Sequence, residues 1–173
     1  MRWVSLRYFN AAGASSDGVL GENWDMTTNL IPLVMKAAFG AGGPIQVLGN
    51  DYPTPDGTGV RDYIHVQDLA EAHAKAIDYL DGGKPNVTLN LGTGIGTSVL
   101  DILRATEKVS GRAVPHEFAP RRLGDPAIVF ADASLAKELL NWAATRTHQD
   151  IIDSAFRWHH SQLDTAHTGK KEE

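Results

Sequence analysis

The sequence predicts an α/β fold in which at least part of the sheet is parallel. Short apolar segments of strand length alternate along the chain with longer segments that have helical periodicity. Breaks rich in glycine, proline and asparagine separate the two kinds of segment. Strands joined through helices are the connection that parallel sheets use. Because 173 residues is an ordinary size for one domain, we expect a single α/β unit over residues 1–163.

Composition excludes several classes of protein. The 16 basic and 21 acidic residues give a net charge of −5, which argues against a surface that neutralises nucleic-acid phosphates. The absence of cysteine excludes disulfides, zinc–thiolate sites and thiol catalysis. No apolar run approaches the roughly 20 residues that span a bilayer. We therefore expect a cytoplasmic protein without nucleic-acid or membrane partners, ending in a disordered polar tail over residues 164–173.

The first half of the chain contains four predicted segments. Arg2–Phe9 is apolar on both faces and predicts a buried strand. Asn29–Phe39 has the spacing of a helix, and Ile45–Leu48 follows as a short strand. Asn50–Gly59 is rich in turn-forming residues and predicts an irregular surface loop.

The most regular helix is predicted from Val66 to Leu80. Its expected core stripe is Val66, Leu69, Ala70, His73, Ile77 and Leu80. On this reading His73 is a hydrogen-bonded core residue.

The second half alternates strands with capped helices. Val87–Leu91 predicts a strand, and Ser98 with Asp101 forms a capping box for a helix that ends at Gly111. The remaining predicted elements are a strand at Val114–Phe118, a helix from Asp132 to Leu140, and a final helix capped by Thr147 and Asp150 with Ile151, Ala155 and Trp158 on its core face.

The glycine-rich loop Gly92–Gly96 has two readings. A strand, a G-x-G-x-G turn and a capped helix are the context of a dinucleotide site, with Glu117 as a candidate ribose acceptor. However, the third glycine of the G-x-G-x-x-G fingerprint is replaced by Thr97. The other reading is a tight strand-to-helix turn with close packing, and the local pattern does not separate the two.

Arginines at loop ends are candidate anion ligands. Arg61 follows the irregular loop, and Arg121-Arg122 follow a predicted strand. Guanidinium groups form forked, charge-assisted bonds to phosphate. Surface ion pairs with Asp62 and Asp125 are the alternative.

Metal and nucleophile chemistry find no support in the sequence. His159-His160 with His167 is the only histidine cluster, and adjacent helical residues point to different sides. No G-x-S-x-G nucleophile motif is present. The sequence therefore predicts no metal site and no catalytic residue.

Four stretches, taken together, resemble the UDP-glucose 4-epimerases of the extended short-chain dehydrogenase/reductase family. They are Arg7–Asn10, Gly49–Val66 (GNDYPTPDGTGVRDYIHV), Asn90–Gly92 and Pro120–Asp125 (PRRLGD). The resemblance covers residues 2 to 160 and matches only the carboxy-terminal half of such an enzyme. It implies the later strands and helices of a Rossmann-like NAD(P)-binding fold, together with the small α/β substrate-binding region.

The resemblance also implies a role for individual positions. Tyr8 and Phe9 resemble residues beside the nicotinamide of NAD. The substrate-binding positions that it implies are Asn10 for the UDP-sugar, Asn29 and Leu30 for the diphosphate, Gln46, Val47 and Leu48 for the uracil, Arg61 and Arg122 for phosphate and ribose, Asp125 for the ribose hydroxyls, and Val129 for the sugar. In this family the Gly92–Gly96 loop belongs to the substrate side of the cleft.

The implied reaction is interconversion of UDP-glucose and UDP-galactose. Family members oxidise the sugar at C4 with NAD, rotate the 4-keto intermediate and return the hydride to its other face. None of the four tyrosines here has lysine four residues later, and the amino-terminal glycine-rich NAD loop is absent. We therefore expect the chain to be a fragment that is inactive unless the missing half or a second copy of the chain joins it.

Three alternatives stay open. The chain is half of another nucleotide-sugar dehydratase or decarboxylase, a UDP-sugar-binding remnant without chemistry, or an NAD-binding protein that uses Gly92–Gly96.

Overall fold

The computed structural model describes residues 1–23 and 26–168, with side chains to residue 163. The described strands are β1 (Val4–Tyr8), β2 (Asn10–Ala12), β3 (Ile45–Leu48), β4 (Val60–His65), β5 (Val87–Leu91), β6 (Gly96–Ser98), β7 (His116–Ala119) and β8 (Ile128–Val129). The described helices are α1 (Leu30–Ala38), α2 (Val66–Asp81), α3 (Val99–Ser110), α4 (Ser134–Leu140) and α5 (His148–Thr168). The α/β prediction is confirmed.

Most strand pairs are parallel. β1 pairs with β5, β2 with β4, and β3 with β7, all in parallel register. The predicted strand Arg2–Phe9 is present as β1, and a second strand follows it, because the chain leaves β5 after Tyr8 and pairs with β4 from Asn10 onward. The amino-terminal segment therefore joins two separate sheets.

Strand β4 lies between two hydrophobic clusters. Its partners are β2, the antiparallel β6 and the parallel β8. Tyr63 belongs to a cluster with α1, β3, α3 and α5, whereas Ile64 belongs to a cluster with α2, β5 and α4. Because successive strand residues point to opposite faces, β4 separates the two clusters and presents one face to each.

Local capping interactions produce helix α3 as predicted. The Ser98 hydroxyl accepts a hydrogen bond from the Asp101 backbone N–H at 3.0 Å. Gly111 ends the helix in the left-handed conformation, at a φ of 64° that favours glycine. These interactions join residues a few positions apart, so the sequence alone predicts them.

The predicted core stripe of α2 is wrong for several of its members. His73 is exposed, and the side chain of Ile77 is 60% exposed. The buried face is Asp68, Leu69, Ala72, Ala76 and Tyr79. The face is rotated because buried Asp68 binds the backbone N–H of Arg146 at 3.1 Å and its guanidinium at 2.5 Å. A pattern of apolar residues does not reveal a core position occupied by a carboxylate.

Helix α5 begins close to its predicted cap and runs past the predicted domain boundary. The Thr147 hydroxyl donates to the Asp150 carboxylate at 2.7 Å, and Ile151 and Ala155 are buried. The helix continues to Thr168, five residues beyond position 163, so this part of the predicted disordered tail is helical. The rest of the tail, residues 169–173, lies outside the described residues. Within the described ranges, no helix is both long and apolar enough to cross a membrane.

Two buried histidines are held neutral. His65 Nδ1 accepts from the Gln67 backbone N–H at 3.1 Å, which leaves Nε2 to donate to the Ser154 hydroxyl at 3.1 Å. Burial lowers the pKa of His65, and the nearby positive charge of Arg146 acts in the same direction. Burial also lowers the pKa of His159 to about 4, against a weaker opposing effect of Glu22.

We expect the protein to lose stability as the pH falls from 8 to 5. Unfolded histidine takes up a proton near its ordinary pKa of about 6.5, whereas folded His159 stays neutral until about pH 4. The unfolded state therefore binds more protons in this window, and its relative free energy falls. His159 by itself accounts for a loss of about 2 kcal/mol at pH 5.

Urea unfolding at the two pH values measures this loss. The variant His159→Gln should show a smaller difference between pH 8 and pH 5 than the wild type. Equal pH dependence in the two proteins would contradict the assignment.

Candidate functional site

A groove of about 610 Å³ lies between α1, β3 and β4. Its lining includes seven of the positions predicted to bind substrate: Asn10, Leu30, Gln46, Leu48, Arg61, Arg122 and Asp125. These residues come from segments up to 115 positions apart, between Asn10 and Asp125. Folding therefore gathers most of the predicted substrate residues around one space.

Helix α1 forms one side of the groove. Leu30, Leu33 and Lys36 line it, and their spacing of three residues places them on one helix face. Asn29 occupies the N-cap position but makes no side-chain cap hydrogen bond. The third helical residue, Pro32, has no backbone N–H to be capped. The positive end of the helix dipole therefore faces this end of the groove without a capping side chain from Asn29.

Arg61 forms another part of the lining, on β4. Its guanidinium donates to the backbone oxygen of Val60 at 2.8 Å and to the Asp125 carboxylate at 2.6 Å. Arg61 is therefore ion-paired with Asp125, 64 residues away, rather than with its neighbour Asp62. The pair lies within the groove lining, where an anionic ligand can compete with Asp125 for the guanidinium.

The adjacent arginines of the PRRLGD stretch have different environments. Arg122 lines the groove. Arg121 instead donates to the Asp51 carboxylate at 2.5 Å and lies over the ring of Tyr52, 4.2 Å from its centroid. Arg121 therefore stabilises the irregular loop, which buries Tyr52, and is absent from the groove lining. The local pattern named both arginines as candidate anion ligands, whereas the family resemblance named Arg122 alone.

Tyr63 is a groove residue that the sequence interpretation did not assign. Burial raises its pKa to about 12, although the positive charge of Arg61 opposes the shift. The phenol therefore stays protonated at neutral pH and can donate a hydrogen bond but not act as a base. Its position two residues after Arg61 on a strand was the available signal, because such residues share a face.

Other predicted positions lie outside this lining, among them Asn29, which lines a small separate cavity together with Asn10 and Tyr63. Val47 is 1% exposed and belongs to the first hydrophobic cluster, so only its main chain can face a ligand. Tyr8 is 48% exposed at the end of β1, where its ring packs edge-on against the His73 ring, with the two ring centroids 6.1 Å apart. Phe9 is half-buried where the chain passes from β1 to β2. Val129 is half-buried on β8 in register with Arg61.

The glycine-rich loop Gly92–Gly96 encloses the buried carboxylate of Asp62. This carboxylate accepts from the backbone N–H of Thr93 at 3.0 Å, of Gly94 at 3.0 Å and of Ala131 at 3.1 Å. The Thr93 hydroxyl also donates to it at 2.7 Å. A Cβ atom on Gly92 would lie 2.5 Å from the carboxylate, so glycine is required there.

The hydrogen bonds to Asp62 decide whether this loop is a dinucleotide site or a tight structural turn. Two of its backbone donors, which a dinucleotide site would aim at pyrophosphate, are bonded to Asp62. Glu117, the other part of that reading, lies on β7 and accepts from the Gln46 side chain at 3.1 Å. The geometry favours the tight structural turn.

Metal ligands are not grouped in the part of the chain that the structure describes. No three histidine, aspartate or glutamate side chains there are placed to hold a metal ion. His159 is buried, whereas His160 is exposed and packs against Phe39 and Phe156.

The fold agrees with comparisons to known proteins. The model of the NAD dependent epimerase/dehydratase family matches residues 1–92, and the chain belongs to this family. Its relatives include the UDP-glucose 4-epimerases of Lacticaseibacillus casei and Bifidobacterium longum. They are 44% identical over 160 residues and 50% identical over 157 residues, which is 92% and 90% of this chain. Those matches span 48% and 46% of the two relatives, so the chain covers about half their length.

Two of the solved structures that are similar to this chain contain NAD and a uridine nucleotide. The UDP-glucose 4-epimerase of Stenotrophomonas maltophila, with NAD and formylated UDP-arabinopyranose, has a TM-score of 0.91 and 44% identity over 95% of this chain and 49% of its own. The enzyme of B. longum, with NAD⁺ and UDP, has a TM-score of 0.87 and 47% identity over 94% of this chain and 49% of its own. The resemblance to one half of a UDP-glucose 4-epimerase is confirmed.

We expect Asp62→Ala to lower the free energy of unfolding by about 3 kcal/mol or more, because one buried and two partly buried backbone donors lose their charged acceptor. Urea denaturation measures the change. Asp78→Ala, at an exposed position of α2, is the matched control and should change the value by no more than about 0.5 kcal/mol. Similar unfolding midpoints for the two variants would contradict the role assigned to Asp62.

Proposed function

We propose that this chain forms the UDP-sugar-binding half of a UDP-glucose 4-epimerase. The observation that carries the proposal is the groove in which Arg61, Arg122 and the start of α1 line the same space. Two cationic side chains and a helix N-terminus are suited to a diphosphate, which carries two or more negative charges. The bound UDP in the related B. longum structure supports this assignment.

Each part of the ligand has a proposed partner. The diphosphate lies between Asn29, Leu30 and the two arginines. The uracil lies along β3, where Gln46 and Leu48 line the groove and Val47 offers its main chain. Asp125 accepts from the ribose hydroxyls once the phosphate takes over Arg61, and Asn10 contacts the sugar side.

The chain provides binding groups but no apparatus for proton transfer. Tyr63, the tyrosine in the groove, stays protonated at neutral pH. No tyrosine in the sequence has the lysine four residues later that lowers a phenol pKa in this family. We propose that the chain by itself binds UDP-sugars without epimerising them.

NAD is the cofactor of the proposed complete enzyme, to which it supplies the acceptor and donor of the hydride. Tyr8 fits a place beside the nicotinamide, because its ring is exposed at the carboxyl end of a parallel strand. Phe9 continues that edge. The other NAD contacts belong to the other half of the enzyme.

The surface around β1 is the proposed place for that half or for a second copy of the chain. Among the described residues, β1 pairs with β5 and with no other strand. Three large apolar side chains are exposed there: Trp3 just before β1, Tyr8 at the end of β1 and Ile77 on α2. An open strand edge next to apolar side chains favours association.

We expect the chain to bind UDP and not NAD in calorimetric titrations. Arg122→Ala should weaken UDP binding by about 10- to 100-fold, because it removes a charged hydrogen-bond donor from the groove. Arg121→Ala is the matched control, because its guanidinium is bonded to Asp51 and is absent from the lining. Binding of NAD but not UDP would overturn the proposal in favour of the glycine-rich loop.

We expect Val129 to leave space for a 2-acetamido sugar, because family members often have an aromatic residue at this position. UDP-N-acetylglucosamine should then bind more tightly than UDP. Val129→Tyr should lower the affinity for UDP-N-acetylglucosamine by about tenfold and so remove that advantage. The affinity for UDP should stay unchanged. Competition titrations measure both affinities. If the acetamido sugar adds nothing to the affinity of UDP for the wild type, the idea fails.

A further inference from the structure

We propose that Glu22 is a positioning residue for diphosphate binding, because its carboxylate sets the orientation of the Asn29 side-chain amide. The inference rests on the proposed function, in which Asn29 contacts the diphosphate. It assigns a task to an acidic residue from the segment before α1 that the sequence interpretation did not use.

The contacts of Glu22 converge on Asn29. One carboxylate oxygen of Glu22, Oε1, accepts from Asn29 Nδ2 at 2.7 Å and from the Thr27 hydroxyl. The Thr27 hydroxyl oxygen in turn accepts from the Asn29 backbone N–H at 2.9 Å. Both the side-chain amide and the backbone amide of Asn29 are therefore connected to the same carboxylate oxygen. Such a connected chain of hydrogen bonds is stronger than isolated bonds.

The chemistry of a carboxylate decides which way the amide points. An ionised carboxylate only accepts hydrogen bonds, so the nitrogen of the Asn29 amide, and not its oxygen, must face Glu22. The second hydrogen on Nδ2 is then available to donate to an anion. Without the carboxylate, the amide can rotate by half a turn and present Oδ1, which repels phosphate oxygens.

Asn29 occupies the N-cap position of α1, yet its side chain bonds to Glu22 rather than capping the helix. Asparagine at an N-cap ordinarily accepts from a backbone N–H of the first turn. Asn29 makes no such bond, and its side chain is turned toward Glu22 instead. The amide is therefore held as a donor rather than used as the acceptor of a cap.

Helix α5 anchors the backbone at Glu22 through Trp158. The Glu22 backbone oxygen accepts from the Trp158 indole N–H at 3.0 Å. Gly21 lies directly against the same indole, since a Cβ atom there would come within 2.4 Å of the ring. The carboxylate therefore extends from an anchored backbone, which allows it to orient Asn29.

Two variants separate positioning from mere structural support. Glu22→Ala removes the acceptor, whereas Glu22→Gln keeps an oxygen that can accept from Asn29 and Thr27. We expect Glu22→Ala to weaken UDP binding by about two- to tenfold, the worth of one hydrogen bond, and Glu22→Gln to restore it. Uridine, which has no phosphate, should bind both variants and the wild type equally. Titrations followed by NMR chemical shifts measure the three affinities for each ligand.

A measurement without ligand tests the orientation itself. In the wild type and Glu22→Gln, the Asn29 side-chain NH₂ signals should show one hydrogen-bonded proton, and Glu22→Ala should lose this feature. Unchanged signals in Glu22→Ala would overturn the inference whether or not UDP binds. Equal loss of UDP and uridine affinity, or tighter UDP binding by Glu22→Gln than by the wild type, would also overturn it. Failure of the wild type to bind UDP, with the Asn29 signals as expected, would instead overturn the proposed function.

Discussion

The buried carboxylate of Asp62 is the interaction on which the arrangement of this molecule depends. It satisfies backbone donors from the loop after β5 and from the segment before α4, and so joins three stretches of chain around β4. A buried charge is stable only when it is fully hydrogen-bonded, so the three stretches have little freedom to move independently. Because neighbouring strand residues face opposite ways, this bonding also directs Arg61 and Tyr63 toward the groove.

The groove is built for binding. Arg61 and Asp125 are ion-paired within its lining, so each side chain keeps the other in place before a ligand arrives. Its buried phenol is held in the protonated form, and at the start of α1 the side-chain amide of Asn29 donates to Glu22. In the function we propose, this arrangement recognises a diphosphate and a sugar, and the other half of the enzyme supplies the hydride and proton chemistry.

The glycine-rich loop illustrates how far a local pattern can lead. Its sequence satisfies much of the dinucleotide fingerprint, and its strand and helix are in the expected places. What the pattern does not contain is Asp62, 31 residues earlier in the chain, which takes up the donors of the loop. Seven groove residues were predicted through family resemblance, whereas others, Tyr63 and Lys36 among them, were not, because neither the loop pattern nor the helix spacing indicated a ligand.

By itself, the sequence determined the α/β class, helices α1 and α3, the caps of α3 and α5, and short strands such as β3 and β5. These features depend on hydrogen bonds and periodicity within a few residues, as in the bond between Ser98 and Asp101. Only the tertiary structure decided which face of α2 is buried, that β4 is a strand despite its polar residues, and that Asp62 fills the glycine-rich loop. The partners that decide these features lie 31 to 78 residues away, where no local pattern reports them.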